Sequence, residues 1–117
     1  MKYVQFFFYN YLLDINLLNK ISENIKIIPS YILVDNYNKE NNILIISNKD
    51  SINKQILKGI VVPFDITLGK ILEKINAIFK KINKIDPIKY KNIDIYKIDI
   101  VNANIYKDDT TTAYIIY

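Results

Sequence analysis

The sequence predicts an α+β domain: a small, mostly antiparallel sheet or open β-barrel, with one long amphipathic helix packed on it and a short N-terminal helix. Three observations carry that prediction. Runs of β-branched and aromatic residues recur along the chain, beginning with Val4 to Tyr9. One long segment, Leu68 to Ile85, repeats apolar residues at three- and four-residue steps. Polar stretches separate these runs without any internal repeat or low-complexity linker, so the 117 residues are expected to form a single domain, residues 1–117.

Each element has its own local reason. Val4 to Tyr9 is a run of β-branched and aromatic residues, interrupted by Gln5, and reads as a buried strand. Asp14 is suited to cap a short helix with apolar positions Ile15, Leu18 and Ile21. Ile25 to Ile28 reads as a short extended piece stopped by Pro29, and Tyr31 to Asp35 as the second strand. Asn36 to Asn42 is polar and turn-rich, Ile43 to Ile46 is the third strand, and Ser47 to Asn53 is a connection. Ile56 to Phe64 is the fourth strand, where Gly59 marks a bulge or a close backbone approach. Asp65 or Thr67 caps the long helix, whose apolar stripe is Leu68, Ile71, Leu72, Ile75, Ile78, Phe79, Ile82 and Ile85, and Pro87 ends it. Tyr90 to Val101 alternates, with a change of phase between Ile95 and Tyr96. Asn102 to Thr112 reads as a connection, and Ala113 to Tyr117 as the last strand.

Composition removes whole classes of chemistry. Cys, His and Trp are all absent, which excludes disulfides, thiolate chemistry, imidazole bases and the usual zinc ligands. No metal or other cofactor is expected. Acid–base work would fall to Asp, Glu, Lys or Tyr. Two glycines, Gly59 and Gly69, cannot form a glycine-rich phosphate loop. Ile, Lys, Asn and Tyr make up more than half of the chain, the signature of A/T-rich codons; a large DNA virus, a phage or an A/T-rich microbe or parasite is the expected source.

The net charge of +4 comes from lysine alone, since Arg is absent. Lys70, Lys74, Lys80, Lys81 and Lys84 interleave with the apolar stripe of the long helix and read as its wet face. Without the guanidinium fork, a lysine surface binds nucleic acid weakly and with strong salt dependence, so no nucleic-acid partner is expected. No apolar run is long enough to span a bilayer, and Met1 to Leu13 lacks a small-residue cleavage site. The expectation is a cytoplasmic protein without a membrane partner, as monomer or homodimer.

Chemistry is best placed where the first strand turns into the Asp14 helix, because such a turn presents backbone N–H groups to a carboxylate or an oxyanion. Asn10 stands in that turn, and Asn is the residue after Gly that best tolerates positive φ. The adjacent acids Asp108 and Asp109 read as a solvated turn and not a metal site.

Taken in order, these elements resemble the γ-glutamylcyclotransferase-like family, which includes the γ-glutamylamine cyclotransferases. Tyr9-Asn10-Tyr11-Leu12 stands where members carry Tyr-Gly-Ser/Thr-Leu after the first strand. Tyr31-Ile32-Leu33-Val34-Asp35 and Leu57-Lys58-Gly59-Ile60-Val61-Val62 are similar to two further strands of the family. Ile82 to Asp86, then Pro87 and Tyr90, resembles the helix end that carries the family's catalytic acid, and Ala113 to Tyr117 its closing strand. The resemblance spans nearly the whole chain. It implies cyclisation of a γ-glutamyl amide to 5-oxoproline, with Asp86 as acid/base and Tyr9, Asn10, Tyr11, Leu12 and Tyr90 as substrate-binding residues. Asn10 and Tyr11 replace the family's Gly and small hydroxyl residue, and Asp86 is one methylene shorter than Glu. The favoured expectation is therefore a divergent, catalytically inactive member that binds a small amino-acid-like ligand or a partner protein. The alternative is an active cyclotransferase using Asp86.

Overall fold

A computed structural model of the chain describes residues 3–10, 13–40, 43–88, 90, 96–106 and 109–117. Six strands and two helices follow in the order β1 (Val4–Phe8), α1 (Ile15–Leu18), β2 (Ile28–Asn38), β3 (Ile43–Ile46), β4 (Gln55–Phe64), α2 (Leu68–Ile85), β5 (Ile98–Tyr106) and β6 (Asp109–Ile116). Lateral order is β3-β2-β4-β1-β6-β5, and β5 also meets β2. Strands β2, β4, β1, β6 and β5 thus close a five-stranded barrel, with β3 added on the edge of β2. The expected open barrel is closed by antiparallel pairing of Tyr31 with Asn104. All pairings are antiparallel except β1–β6, which is parallel through Phe6 and Tyr114.

Strand β1 is buried on both faces, and its alternation divides the apolar core in two. Phe6 and Phe8 join Leu18, Ile21, Val62, Phe64 and the buried face of α2. Phe7 and Tyr9 turn the other way, into the barrel, with Ile32, Val34, Leu57, Val61, Val101 and Ile115. The Gln5 amide donates to Thr111 Oγ1 (2.7 Å) and to the Thr112 carbonyl (3.0 Å), tying β1 to β6.

Helix α2 follows its periodicity. Thr67 is the N-cap, its hydroxyl accepting from Lys70 N–H, and Asp86 is the C-cap. Ile71, Ile75, Ile78, Phe79 and Ile82 are buried, while Lys70, Lys80, Lys81 and Lys84 stay exposed. Lys74 does more than face water: its ammonium donates to the Ile21 carbonyl (2.9 Å) and pins the segment after α1 to the helix. Asp14 caps α1 by accepting from Asn16 N–H. That helix is a single turn, so Ile15 remains exposed, and Ile21 reaches the core from beyond its end.

Three segments differ from expectation. Strand β2 begins before Pro29 and runs on through Asn36 to Asn38, because β3 supplies partners for the polar end: Asn36 with Ile45, Tyr37 with Leu44, Asn38 with Ile43. Pro29 is accommodated as the second residue of the strand, where its ladder runs to β4. Strand β5 starts at Ile98, later than Tyr90, and extends to Tyr106; β6 starts at Asp109. The Asn- and Thr-rich stretch expected to be a connection is a hairpin paired from Ile98–Ile116 to Tyr106–Asp109. The expected phase change at Ile95 lies outside the described residues.

Gly59 sits on the interior side of β4, where the backbone approach is close. A Cβ there would collide with the Phe8 carbonyl oxygen and come within 2.7 Å of the Phe7 ring. Phe7 thereby fills the space a side chain would take. Gly59→Ala is expected to destabilise the fold by about 1–3 kcal/mol, the usual cost of overpacking. Urea denaturation at constant m-value measures it; an unchanged midpoint would show that the Phe7 ring does not pack there.

Candidate functional site

The turn after β1 is built from aromatic rings. Tyr9 is buried, stacked on Phe7 (6.2 Å between centroids, 15° between planes) and edge-on to Tyr37 (5.3 Å, 86°). Its hydroxyl donates to the Ile116 carbonyl at 3.4 Å. Asn10 is half-buried; its carbonyl accepts from Leu13 N–H (2.8 Å), closing the turn, and its side chain hydrogen-bonds the Tyr37 phenol. Asn10 does not take positive φ. That conformation belongs to Asn24 (φ 55°), the only non-glycine residue with it among the described residues. Tyr11 and Leu12 lie outside the described residues.

Asp86 caps the C-terminus of α2 and is half-buried. Its N–H donates to the Ile82 carbonyl (3.0 Å) and its own carbonyl accepts from Tyr90 N–H (3.1 Å), so the chain doubles back at Pro87 and brings Tyr90 onto the helix-facing core. The structure therefore joins Asp86 with Tyr90, and Tyr9 with Asn10. Tyr9 points into the barrel, whereas Tyr90 packs on the helix side.

A chain of contacts runs from the β1 exit to the middle of α2. Tyr117 and Lys97 exchange two backbone hydrogen bonds (2.7 and 2.9 Å) beside the Ile116 carbonyl that holds Tyr9. Tyr96 then meets α2, donating its hydroxyl to Asn76 Oδ1 (2.8 Å) and lying edge-on to Phe79 (5.6 Å). The exit of β1 is thus linked to the middle of α2, and Asp86 lies about 10 Å of helix axis beyond Phe79.

Two phenols have shifted titrations. Burial raises the Tyr37 pKa, against the pull of the Asn10 hydrogen bond. Burial also raises that of Tyr117, helped by the negative charge of Asp99 and by the hydrogen bond its hydroxyl donates to Asp99 Oδ2 (3.5 Å). Among the described residues, no cluster of three or more acidic side chains is placed to hold a metal ion, and no helix is long and apolar enough to cross a membrane.

A second concavity lies away from all of these residues. Beside the line where β5 meets β2, the end of β3 and the loop after it leave a cleft of about 340 Å³. Ile32, Val101 and Ile46 form apolar walls, and Lys49, Lys54 and Asn102 are among its polar lining. No sequence signal marks it, because the lysines and asparagines that line it lie in separate segments and read as ordinary solvated positions. The chain matches no protein-family profile, no curated protein and no solved structure.

The two phenols set a pH dependence. Their folded pKa values lie above the unfolded value near 10, so this contribution to stability is complete below that pH and is lost as pH rises through the folded values. Stability is expected to fall when urea midpoints are compared at about pH 8 and about pH 10.5, and Tyr37→Phe is expected to reduce that fall. An identical fall in the variant would show that Tyr37 titrates as in the unfolded chain.

Proposed function

We propose that this protein is a divergent γ-glutamylcyclotransferase-like domain that binds a small amino-acid-like molecule, or a partner protein, without turning it over. The observation that carries the reading is the commitment of Asn10, which stands where the family has glycine, to the turn and to Tyr37. In a cyclotransferase of this kind the exit turn would offer backbone amides to the substrate, and the space beside it would hold the γ-glutamyl group. Tyr9, at the family's own tyrosine position, packs between Phe7 and Tyr37 and donates its hydroxyl to the Ile116 carbonyl. Asn10, in place of glycine, spends its carbonyl on the turn and its side chain on Tyr37.

The position of the acid supports the same reading. Cyclisation needs one carboxylate to take a proton from the attacking α-amine and return one to the leaving nitrogen, within hydrogen-bond reach of both. Asp86 sits about two helix turns beyond Phe79, the α2 residue that the β1 exit is linked to through Tyr96, and its side chain is shorter than the family's Glu.

The alternative, an active cyclotransferase, draws on one feature. Asp86 is half-buried at a chain reversal with Tyr90 folded back beside it, a setting in which a carboxylate can be shielded from bulk water. Incubation with γ-glutamyl amides, followed by mass-spectrometric detection of 5-oxoproline, separates the two. The proposal expects no product above the spontaneous rate, for the native chain and for Asp86→Asn alike. Product formation by the native chain that is lost in Asp86→Asn, with an unchanged circular-dichroism spectrum, would overturn it and establish Asp86 as the acid/base.

A further inference from the structure

We infer that the cleft between β2, the end of β3 and β5 binds a small organic anion: a carboxylate or phosphate carried on a short apolar body. This goes beyond the reading of the β1 exit, because none of Tyr9, Asn10, Asp86 or Tyr90 lines the cleft.

The cleft is a consequence of topology. Two strands use the same edge of β2. β5 meets it at Tyr31, through Asn104, and β3 takes it from Val34 to Asn38. Both ladders are irregular where they approach each other, with register shifts between Val34 and Asn36 on β2 and between Asn104 and Tyr106 on β5. Such shifts bend strands apart at barrel rims. The gap they leave bottoms on Ile32 and Val101, which belong to the barrel core.

One wall of the gap is held in place before any ligand arrives. Asp35 on β2 accepts from the Ser47 hydroxyl (2.8 Å) at one carboxylate oxygen and from the Ser51 hydroxyl (3.0 Å) at the other. The Ser51 hydroxyl in turn accepts from Asn48 N–H (2.9 Å), and Asn48 Oδ1 accepts from Asp50 N–H (2.8 Å). The loop carrying Lys49 is therefore braced at both ends to one strand. Pre-organisation of this kind lowers the entropic cost of binding.

Charge decides the class of ligand. Lys49 and Lys54 belong to the lining, which contains no carboxylate among the described residues, and Asn102 and Asn104 add side-chain amides. Asp35 is engaged by the two serine hydroxyls and serves the loop. Lysine acts on anions as a point charge and accepts carboxylate and phosphate alike, so the shared chemistry is a compact anionic head. The isoleucine and valine floor favours a ligand with hydrocarbon attached to that head. A volume near the lower end of small-molecule sites limits the hydrocarbon to a few carbons.

Titration of the full chain with butyrate, inorganic phosphate and butylammonium, followed by amide chemical shifts, tests the inference. Butyrate is expected to give saturable shifts at Ser47, Lys49, Lys54 and Asn102, phosphate weaker shifts at the same amides, and butylammonium none. The double variant Lys49→Ala/Lys54→Ala, at two exposed positions, is expected to weaken butyrate binding about tenfold or more, and Lys80→Ala/Lys81→Ala to leave it unchanged. No saturable shift with butyrate up to about 50 mM, equal shifts with butylammonium, or an unaffected double cleft variant would each overturn the inference. Anion-induced shifts confined to Asn10 and Asp86 would also overturn it while leaving the β1-exit reading standing. Shifts at the cleft with none at Asn10 uphold it whatever becomes of that reading.

Discussion

The fold depends on β1 being buried on both faces at once. Four aromatic residues in succession leave no face for water, and alternation sends Phe6 and Phe8 to the helix side and Phe7 and Tyr9 into the barrel. Each such ring contributes on the order of 1.5–3 kcal/mol by leaving water, and the two sets act on different layers. One five-residue strand therefore couples the helix layer to the barrel core. Its neighbours are shaped to suit: β4 gives up a side chain at Gly59 to admit the Phe7 ring, and β6 lies parallel to β1 with Tyr114 against Phe6 (5.6 Å).

The same arrangement determines what the barrel can hold. An interior filled by Phe7, Tyr9, Ile32, Val61 and Ile115 is a core, and Tyr37 and Tyr117 pack at its margin. Of the polar side chains it encloses, the Ser30 hydroxyl is one, buried without a hydrogen-bond partner. A hydroxyl in that state costs free energy, which the surrounding apolar burial offsets. Room for a ligand arises instead where strands part. Closing five strands with a single registered β2–β5 pair, while β3 claims the next stretch of the β2 edge, leaves an opening whose floor is the core and whose rim is loop.

Much of this was legible in the sequence, and the failures have a common physical origin. The period of α2, a cap at Asp65 or Thr67 and the stop at Pro87 are local signals; the helix takes Thr67 as its cap and follows the stripe except at Ile85, which is exposed beside the helix end. The β1 run is equally local, and of the two readings of Gly59, a bulge or a close backbone approach, the structure has the close approach. The polar ends of β2 and β5 were misread as turns. Asn36, Asn38 and Asn102 are exposed strand residues, and Asn104 is only half-buried. Strand preference depends on what a neighbouring strand and a solvated face will accept. Asn is abundant along this chain and stands in exposed strand positions as well as in turns, so the residue type does not separate the two. Barrel closure was illegible for a different reason: it rests on one pairing between segments more than seventy residues apart.

Composition also limits the chemistry available at either place. Without His, Cys or Arg, the chain must recognise an anion with lysine ammonium groups, side-chain amides, hydroxyls and backbone N–H groups, and must move protons with carboxyl, lysine or tyrosine groups. At the β1 exit the polar groups are already committed, Tyr9 to Ile116 and Asn10 to the turn and Tyr37. At the junction of β2, β3 and β5, Asp35 organises the loop and the lysines remain at the surface of the cleft. The two places thus divide the roles that an enzyme site would unite. One is rigid and filled; the other is open, cationic and braced by an acid that is itself hydrogen-bonded twice. On the proposed reading such an arrangement suits holding a small anion better than transforming one, because Asp86 and the lysines of the cleft lie on different elements of the fold.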